Sequence, residues 1–350
     1  VHRVPGKPVP SDPEDRIMNW RRLNSQLETL SNQQFDIVHV QTPFLAHYAG
    51  TKFARKYRLP CVETYHTFFE EYFHHYVKPL PRPLLRMLVR EFTRRQARSL
   101  DVLLVPSTVM KERLEEYGVK TELQVLPTGL DLAQFNLEES GSPANRFTSG
   151  RSRPTVIHVG RMAFEKNLDF LLRSMVRVKQ RIPDVLLAIA GEGPALPSLK
   201  SRAANLGLSS NTRFLGNLSR NGDLQAFYRS GDVFAFASKT ETQGLVLLES
   251  MACGVPVVSL AFMGTRDILD PGRGALVSAE DENEFSDKLI AMLSAPTLRA
   301  QIGKEARAYA EEWSADRFAE QLATVYRQIS SKKSGQRTRF TTPDAAGQRL

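Results

Sequence analysis

Short apolar, β-branched runs recur along this chain with amphipathic stretches between them, and that alternation narrows the choice of fold more than any other feature. The strand-like runs are DIVHV (Asp36–Val40), DVLLV (Asp101–Val105), TVIHV (Thr155–Val159), VLLAIA (Val185–Ala190), VFAFA (Val233–Ala237) and VPVVS (Val255–Ser259). Between them, Met110–Tyr117 and Asp169–Gln180 carry helical periodicity. Strands covered on both faces read as continuous apolar runs, and a helix between successive strands supplies the crossover that a parallel sheet requires. A chain of 350 residues exceeds what one core usually holds, so two α/β units are expected, with ligands at the carboxyl ends of the strands between them.

The division is visible in composition. Pro127-Thr128-Gly129 ends one block, and Glu138–Pro154 (EESGSPANRFTSGRSRP) is polar, rich in Gly, Ser and Pro, and without periodicity, as a linker would be. No apolar run approaches the ~18 residues of a membrane-spanning helix. With only two cysteines, Cys61 and Cys253, a disulfide scaffold is excluded and a reducing, cytoplasmic setting is the default. The chain opens on Val1-His2-Arg3 without a methionine or a signal peptide, which reads as a fragment.

The net charge of +9 is local. Residues 78–98 hold seven basic residues and one acid, residues 331–350 five and one, and the rest of the chain is close to neutral. In the first patch Arg82, Arg86, Arg90, Arg94 and Arg98 recur every four residues, with Leu84, Leu85, Leu88, Val89 and Phe92 interleaved. A helix there would carry an arginine stripe beside an apolar face, suited to an anionic membrane. The plain alternative is a surface helix with its apolar side in the core. Nucleic acid is not expected, because no binding module accompanies the charge. The tail 331–350 has few large apolar groups and reads as disordered.

Three motifs carry candidate chemistry. The most specific is SKTETQGLVLLESMACGVPVV (Ser238–Val258), where Glu241 and Glu249 lie eight apart and Gly244 sits where a loop becomes a helix. Such a turn aims Glu241 and helix amides at an anion, while Glu249 reaches vicinal hydroxyls. Gly160-Arg161 after TVIHV, with Lys166-Asn167 beyond, places two cations at a strand mouth, where they can clamp phosphate oxygens. Gly191-Glu192-Gly193-Pro194 after VLLAIA is a further strand-end turn that allows close approach of a ligand. Taken singly, each is also what solvated glutamates or a capped turn would look like.

In this order the pieces resemble glycosyltransferase family 4, retaining enzymes of the GT-B fold, over roughly Asp36 to Ser330. The resemblance rests on GR…EKN (Gly160 to Asn167), GEGP (Gly191 to Pro194), the FLG turn (Phe214 to Gly216) and Glu241-x7-Glu249 with ESMACGVPVV. It implies two Rossmann-like domains facing across a cleft: an acceptor-binding domain over 1–135, a linker over 136–154 and a nucleotide-sugar-binding domain over 155–312. A helix over 313–330 would then cross back to the first domain, ahead of the tail 331–350. Gly129-Leu130-Asp131 matches the start of the family's interdomain connection. By the same resemblance Arg161 and Lys166 bind the donor diphosphate, Glu249 the ribose, and Glu241 with the Gly244–Leu245 backbone the transferred sugar, with Gly160 and Gly191 also in the donor site. Thr64–His75 (TYHTFFEEYFHH) with the basic stretch resembles bacterial enzymes that glycosylate diacylglycerol, and His66 matches their active-site histidine. That favours the membrane role of Arg82 to Arg98. The family normally begins with a strand, glycine-rich loop and helix; this sequence starts after that unit would have ended, so either it is truncated or the gene lacks the unit, and as given it is expected to bind donor weakly.

The expected activity is transfer of a hexose, glucose first, from a UDP-sugar to a membrane lipid such as diacylglycerol by an enzyme peripheral on the inner face of the cell membrane. Arg161 and Lys166 would stabilise the departing diphosphate, His66 the charge near the anomeric carbon, and attack would come from the front face. Neither cofactor nor metal is expected; a His66, Glu70, His74 metal set at helical spacing is the rival reading of the same stretch. Other acceptors (a soluble sugar, a polyprenyl-linked glycan, an inositol lipid), a related hydrolase or epimerase, and a non-catalytic binding module are the alternatives.

Overall fold

The computed structural model describes residues 2–9, 12–30, 33–66, 81–135, 147 and 153–339, without the side chains of 8–9, 12–17, 82 and 333–339. The chain forms two compact units: 1–106, 111–126 and 320–350 make the first, 107–110 and 127–319 the second.

In unit 1 an antiparallel ribbon, β1 (Gly6–Val9) and β2 (Asp12–Met18), leads into helix α1 (Trp20–Thr29), whose first turn is capped by Asn19 accepting from the Arg22 amide at 3.1 Å. A four-stranded parallel sheet follows: β3 (Val38–Val40), β4 (Cys61–Thr64), β5 (Val102–Val105) and β6 (Glu122–Val125), side by side in chain order. Helices α2 (Leu45–Tyr57), α3 (Arg82–Ala97) and α4 (Thr108–Glu116) make the crossovers. On one face Val62, Val102 and Leu104 form a core with Val325 and Ile329, contributed by a helix from the far end of the chain.

Unit 2 is a six-stranded, wholly parallel sheet in the order β12-β11-β10-β7-β8-β9. Its strands are β7 (Thr155–Val159), β8 (Leu186–Ala190), β9 (Thr212–Phe214), β10 (Val233–Phe236), β11 (Val257–Leu260) and β12 (Ala275–Ser278). The helices are α5 (Leu168–Arg181), α6 (Leu196–Asn205), α7 (Asp223–Arg229), α8 (Leu245–Ala252), α9 (Arg266–Leu269), α10 (Glu282–Ser294), α11 (Pro296–Glu311) and α12 (Ala315–Arg339), the last running on into unit 1. Alternate side chains of each central strand enter separate cores: Phe234 and Phe236 lie with Phe227 and Leu247, Val233 and Ala235 with Leu171 and Met175. Strand order reverses between β7 and β10, and a reversal of this kind opens a crevice at the carboxyl ends of the two strands.

Two expectations are corrected. Helix α12 continues to Arg339, past Ser331, where disorder was expected. Ser331–Arg339 is rich in helix-forming Lys, Arg and Gln, lacks proline, and extends a helix that has already nucleated. Of the expected linker 136–154, residues 136–146 and 148–152 lie outside the described residues, but Phe147 is buried edge-on against Phe227 at 5.4 Å. Arg153 is tied down as well, donating to the carbonyls of Asp184 (2.7 Å) and Val185 (2.9 Å).

Candidate active site

In unit 2 the turns after β7 and β8 interlock. The Gly160 amide donates to Ala190 O at 3.1 Å and the Gly191 amide to Gly216 O at 2.8 Å. Gly191 has φ +128° and lies so close to Gly160 that a Cβ would overlap the Gly160 carbonyl. This backbone plate fixes where Arg161 leaves the sheet. Lys166 ends a single 3-10 turn, Phe164–Lys166, and donates to Glu241 Oε1 at 2.6 Å, both side chains being mostly buried.

Glu241 lies on the loop after β10, and that loop is held by its backbone. Gly264 N donates to Glu241 O (2.9 Å), and Ser107 Oγ to Thr242 O (2.8 Å). The Gln243 amide bonds Thr128 through both its oxygen and its nitrogen, at 2.8 Å each. Gly244, at φ +97°, then turns the chain into α8. Glu249, in the second turn, is buried; its Oε2 accepts from Tyr228 Oη at 2.7 Å, and Arg220 stands 3.7 Å from Oε1. Burial and the neighbouring carboxylate hold the Tyr228 phenol well above its ordinary range, so it stays a donor.

The structure therefore joins Gly160 to Gly191 and Lys166 to Glu241, on the turns and loops that follow β7, β8 and β10, and Gly244 ends the Glu241 loop. Glu249 belongs to a separate Tyr228–Arg220 cluster on the same helix that Gly244 opens. Sequence reasoning treated Lys166 and Glu241 as independent contacts; they form an ion pair, so any anion bound by Lys166 shares it with Glu241. Sequence reasoning also passed over His158. It is fully buried in β7, with its Nδ1 donating to Ala235 O at 3.0 Å and its Nε2 unpartnered; burial pushes it down to about 4. A histidine inside an otherwise apolar strand was the available signal.

His66 lies in unit 1, two residues past β4. Its Nε2 donates to Gln41 Oε1 (3.0 Å), and Gln41 in turn bonds His39 (3.1 Å). His39 also bonds Tyr326 Oη (2.5 Å) and Thr64 Oγ1 (2.7 Å). Burial lowers both imidazoles, and with His66 close by, His39 falls to about 4, so both are neutral at pH 7. Glu70 and His74, the rest of the rival metal set, lie outside the described residues.

The basic helix α3 is divided differently from its sequence pattern. Leu85 and Val89 are buried, whereas Leu84, Met87 and Leu88 are exposed. Arg86 and Arg98 face outward; Arg90 and Arg94 are half-buried, the first 5.0 Å over the Tyr117 ring and the second paired with Glu91. The Arg82 side chain is outside the described set. Among the described residues no helix is long and apolar enough to cross a membrane.

Known proteins resemble this chain over most of its length. Residues 143–309 match the model for glycosyl transferases group 1, and residues 1–134 the model for glycosyltransferase family 4. Alpha-monoglucosyldiacylglycerol synthase of Streptococcus pneumoniae is 32% identical over 80% of this chain and 69% of its own length. The chain belongs to glycosyltransferase family 4. A sulfoquinovosyl transferase of Arabidopsis thaliana is also 32% identical, over 79% of this chain and 54% of that protein. This family member thus spans 54% to 69% of the length of those curated relatives. Its fold is GT-B: HepE of Anabaena, solved with UDP and glucose, superposes with a TM-score of 0.76 at 18% identity, covering 88% of this chain and 82% of that one. Sucrose-phosphate synthase of Thermosynechococcus elongatus does so with 0.75 at 20%, covering 89% and 79%.

Proposed function

We propose that this glycosyltransferase moves glucose from UDP-glucose to diacylglycerol, with retention at the anomeric carbon, at the inner face of the cell membrane. The observation that carries the reading is the match, over four fifths of the chain, to a relative named as a monoglucosyldiacylglycerol synthase. In this reading Arg161 and Lys166 take the diphosphate on the plate formed by Gly160 and Gly191, and the α8 amides beyond Gly244 and Leu245 add to the positive field. Glu249 takes the ribose hydroxyls, held by Tyr228, and Glu241 shares Lys166 with the leaving group while contacting the sugar. His66, neutral at pH 7, acts as a hydrogen-bonding group rather than as a cation. The outward apolar groups of α3 with Arg86 and Arg98 rest on an anionic bilayer.

The test is the full-length protein with UDP-glucose in mixed micelles of diacylglycerol and phosphatidylglycerol, followed by mass spectrometry and UDP release. The expected product is an α-glucosyl-diacylglycerol that disappears in Glu249→Ala. UDP release without that glycolipid would remove diacylglycerol as the acceptor, and the inositol lipids named for a Corynebacterium glutamicum relative, a mannosyltransferase 29% identical, become the next to try. Because cations and amides neutralise the diphosphate, adding EDTA is expected to leave the rate unchanged.

A further inference from the structure

Away from the strand ends, unit 1 holds a groove of about 670 Å³ between α2 and α3. Its floor is His47, 2% exposed, on the first turn of α2. One ring nitrogen is hydrogen-bonded to Glu63, itself 2% exposed on β4, and the other lies 3.2 Å from Ser99 Oγ, just past the end of α3. Thr51 Oγ1 donates to the His47 carbonyl at 2.8 Å and locks the turn. The rim is cationic: Lys52, Arg55 and Lys56 from α2, Arg95 from α3. Among the described residues none that lines it is acidic. Arg95 is answered by Glu91 at 2.8 Å, while Lys52 and Lys56 lie over the rings of Trp20 and Tyr57 at 6.0 and 5.3 Å.

The distribution of charge is what needs an explanation. A carboxylate and an imidazole taken out of water cost free energy that two apolar residues would not, and such pairs are retained where they position something. Here Glu63 faces His47, so its charge does not answer the rim. The three α2 cations sit within five residues of one another and repel. A bound group carrying close to two negative charges and several acceptor oxygens would balance them, with Arg55 as a fork and the lysines as point charges. The volume is that of a ligand site and holds a phosphate with the glycerol or sugar that bears it.

We propose that the groove between α2 and α3 is a binding site for a phosphate ester, with Arg55, Lys52 and Lys56 as its cationic rim and the Glu63-oriented His47 as its floor. The phosphate is either the headgroup of an anionic phospholipid or a soluble phosphate ester.

The experiment titrates the whole protein with inorganic phosphate while following the imidazole resonances of His47, assigned from their loss in His47→Gln. Sedimentation with phosphatidylglycerol/phosphatidylcholine vesicles runs in parallel. Phosphate is expected to shift the His47 signals saturably. Arg55→Glu, on an exposed position that leaves the fold intact, should weaken the shift at least tenfold. Lys166→Ala, in the other unit, should leave it within twofold. If phosphate also releases the protein from vesicles and Arg55→Glu no longer sediments, the occupant is a lipid headgroup. If Arg55→Glu sediments normally but has lost phosphate, it is a soluble ester. The proposal is overturned if His47 does not respond, if chloride at equal ionic strength gives the same response, or if Arg55→Glu binds phosphate as the native protein does.

Discussion

At the scale of single residues, the chemistry of unit 2 depends on a few groups whose neighbours set their behaviour. Replacing Lys166 by alanine removes the cation and leaves Glu241 mostly buried without its partner. kcat/KM for UDP-glucose should fall by roughly 10²–10³, the usual consequence of losing a donor to developing charge. Steady-state kinetics of Lys166→Ala against Lys166→Arg will check this, and a change of less than threefold would remove Lys166 from the proposed phosphate contact. His158 makes a pH prediction. Its neutral form is enforced by burial, so between pH 6.5 and about 4 the unfolded chain takes up a proton that the folded chain refuses. Stability is therefore full above pH 6.5 and falls as the pH drops towards 4, by up to about 3 kcal/mol from this group. Urea titrations at pH 7, 5.5 and 4.5 should show the decline, and His158→Phe should flatten it. Of these residues the sequence made Lys166, Glu241 and Glu249 legible, because the motif carries them. Their partners Tyr228 and Arg220 were not, since they reach Glu249 only through packing of α7 and its preceding turn on α8, more than twenty residues away in the chain.

At the scale of elements, the tight plate at Gly191 and the open turn at Gly207 make a matched pair. Alanine at Gly191 has to displace the Gly160 carbonyl and should lower stability by about 3 kcal/mol. At Gly207, φ +69° with nothing within 4 Å, only the left-handed backbone is disfavoured, a cost of about 1 kcal/mol. Thermal melts of the two variants will separate steric from conformational cost. Helix α3 offers a second contrast: Met87→Glu on its exposed ridge should weaken binding to phosphatidylglycerol vesicles severalfold while leaving the melting temperature in place. Leu85→Glu, two residues away on the buried side, should unfold unit 1. The apolar count of this helix was readable from sequence; its split into a buried and an outward set was not, because leucine looks the same on either face. Strand legibility followed coverage in the same way. DVLLV, VLLAIA and VFAFA are central and announce themselves, whereas β6, β9 and β12 are less covered and carry Glu122, Gln124 and Arg213 among their residues. Central β4 was hidden by Glu63, whose partner His47 comes from a helix sixteen residues earlier.

At the scale of the whole molecule, the fold was readable because the two-sided burial of parallel strands leaves a strong apolar signal and the motifs fall at strand ends in a fixed order. The discontinuity of unit 1 was readable only through family resemblance, since nothing in the composition of α12 says which sheet it covers. Ile329→Ala should lower the stability of unit 1 by about 2–4 kcal/mol and leave unit 2 untouched. Calorimetry should register this as a fall in one transition alone. The same helix has a consequence for synthesis. Val62, Val102 and Leu104 are translated more than 200 residues before Val325 and Ile329 arrive to cover them. At roughly 5–20 residues per second, the nascent sheet waits some ten to forty seconds with one apolar face bare. During that interval unit 2 completes itself. The unit whose sheet is made first is thus the unit finished last, and synthesis that stops anywhere before Val325 leaves a chain whose unit 1 sheet is a substrate for chaperones and proteases.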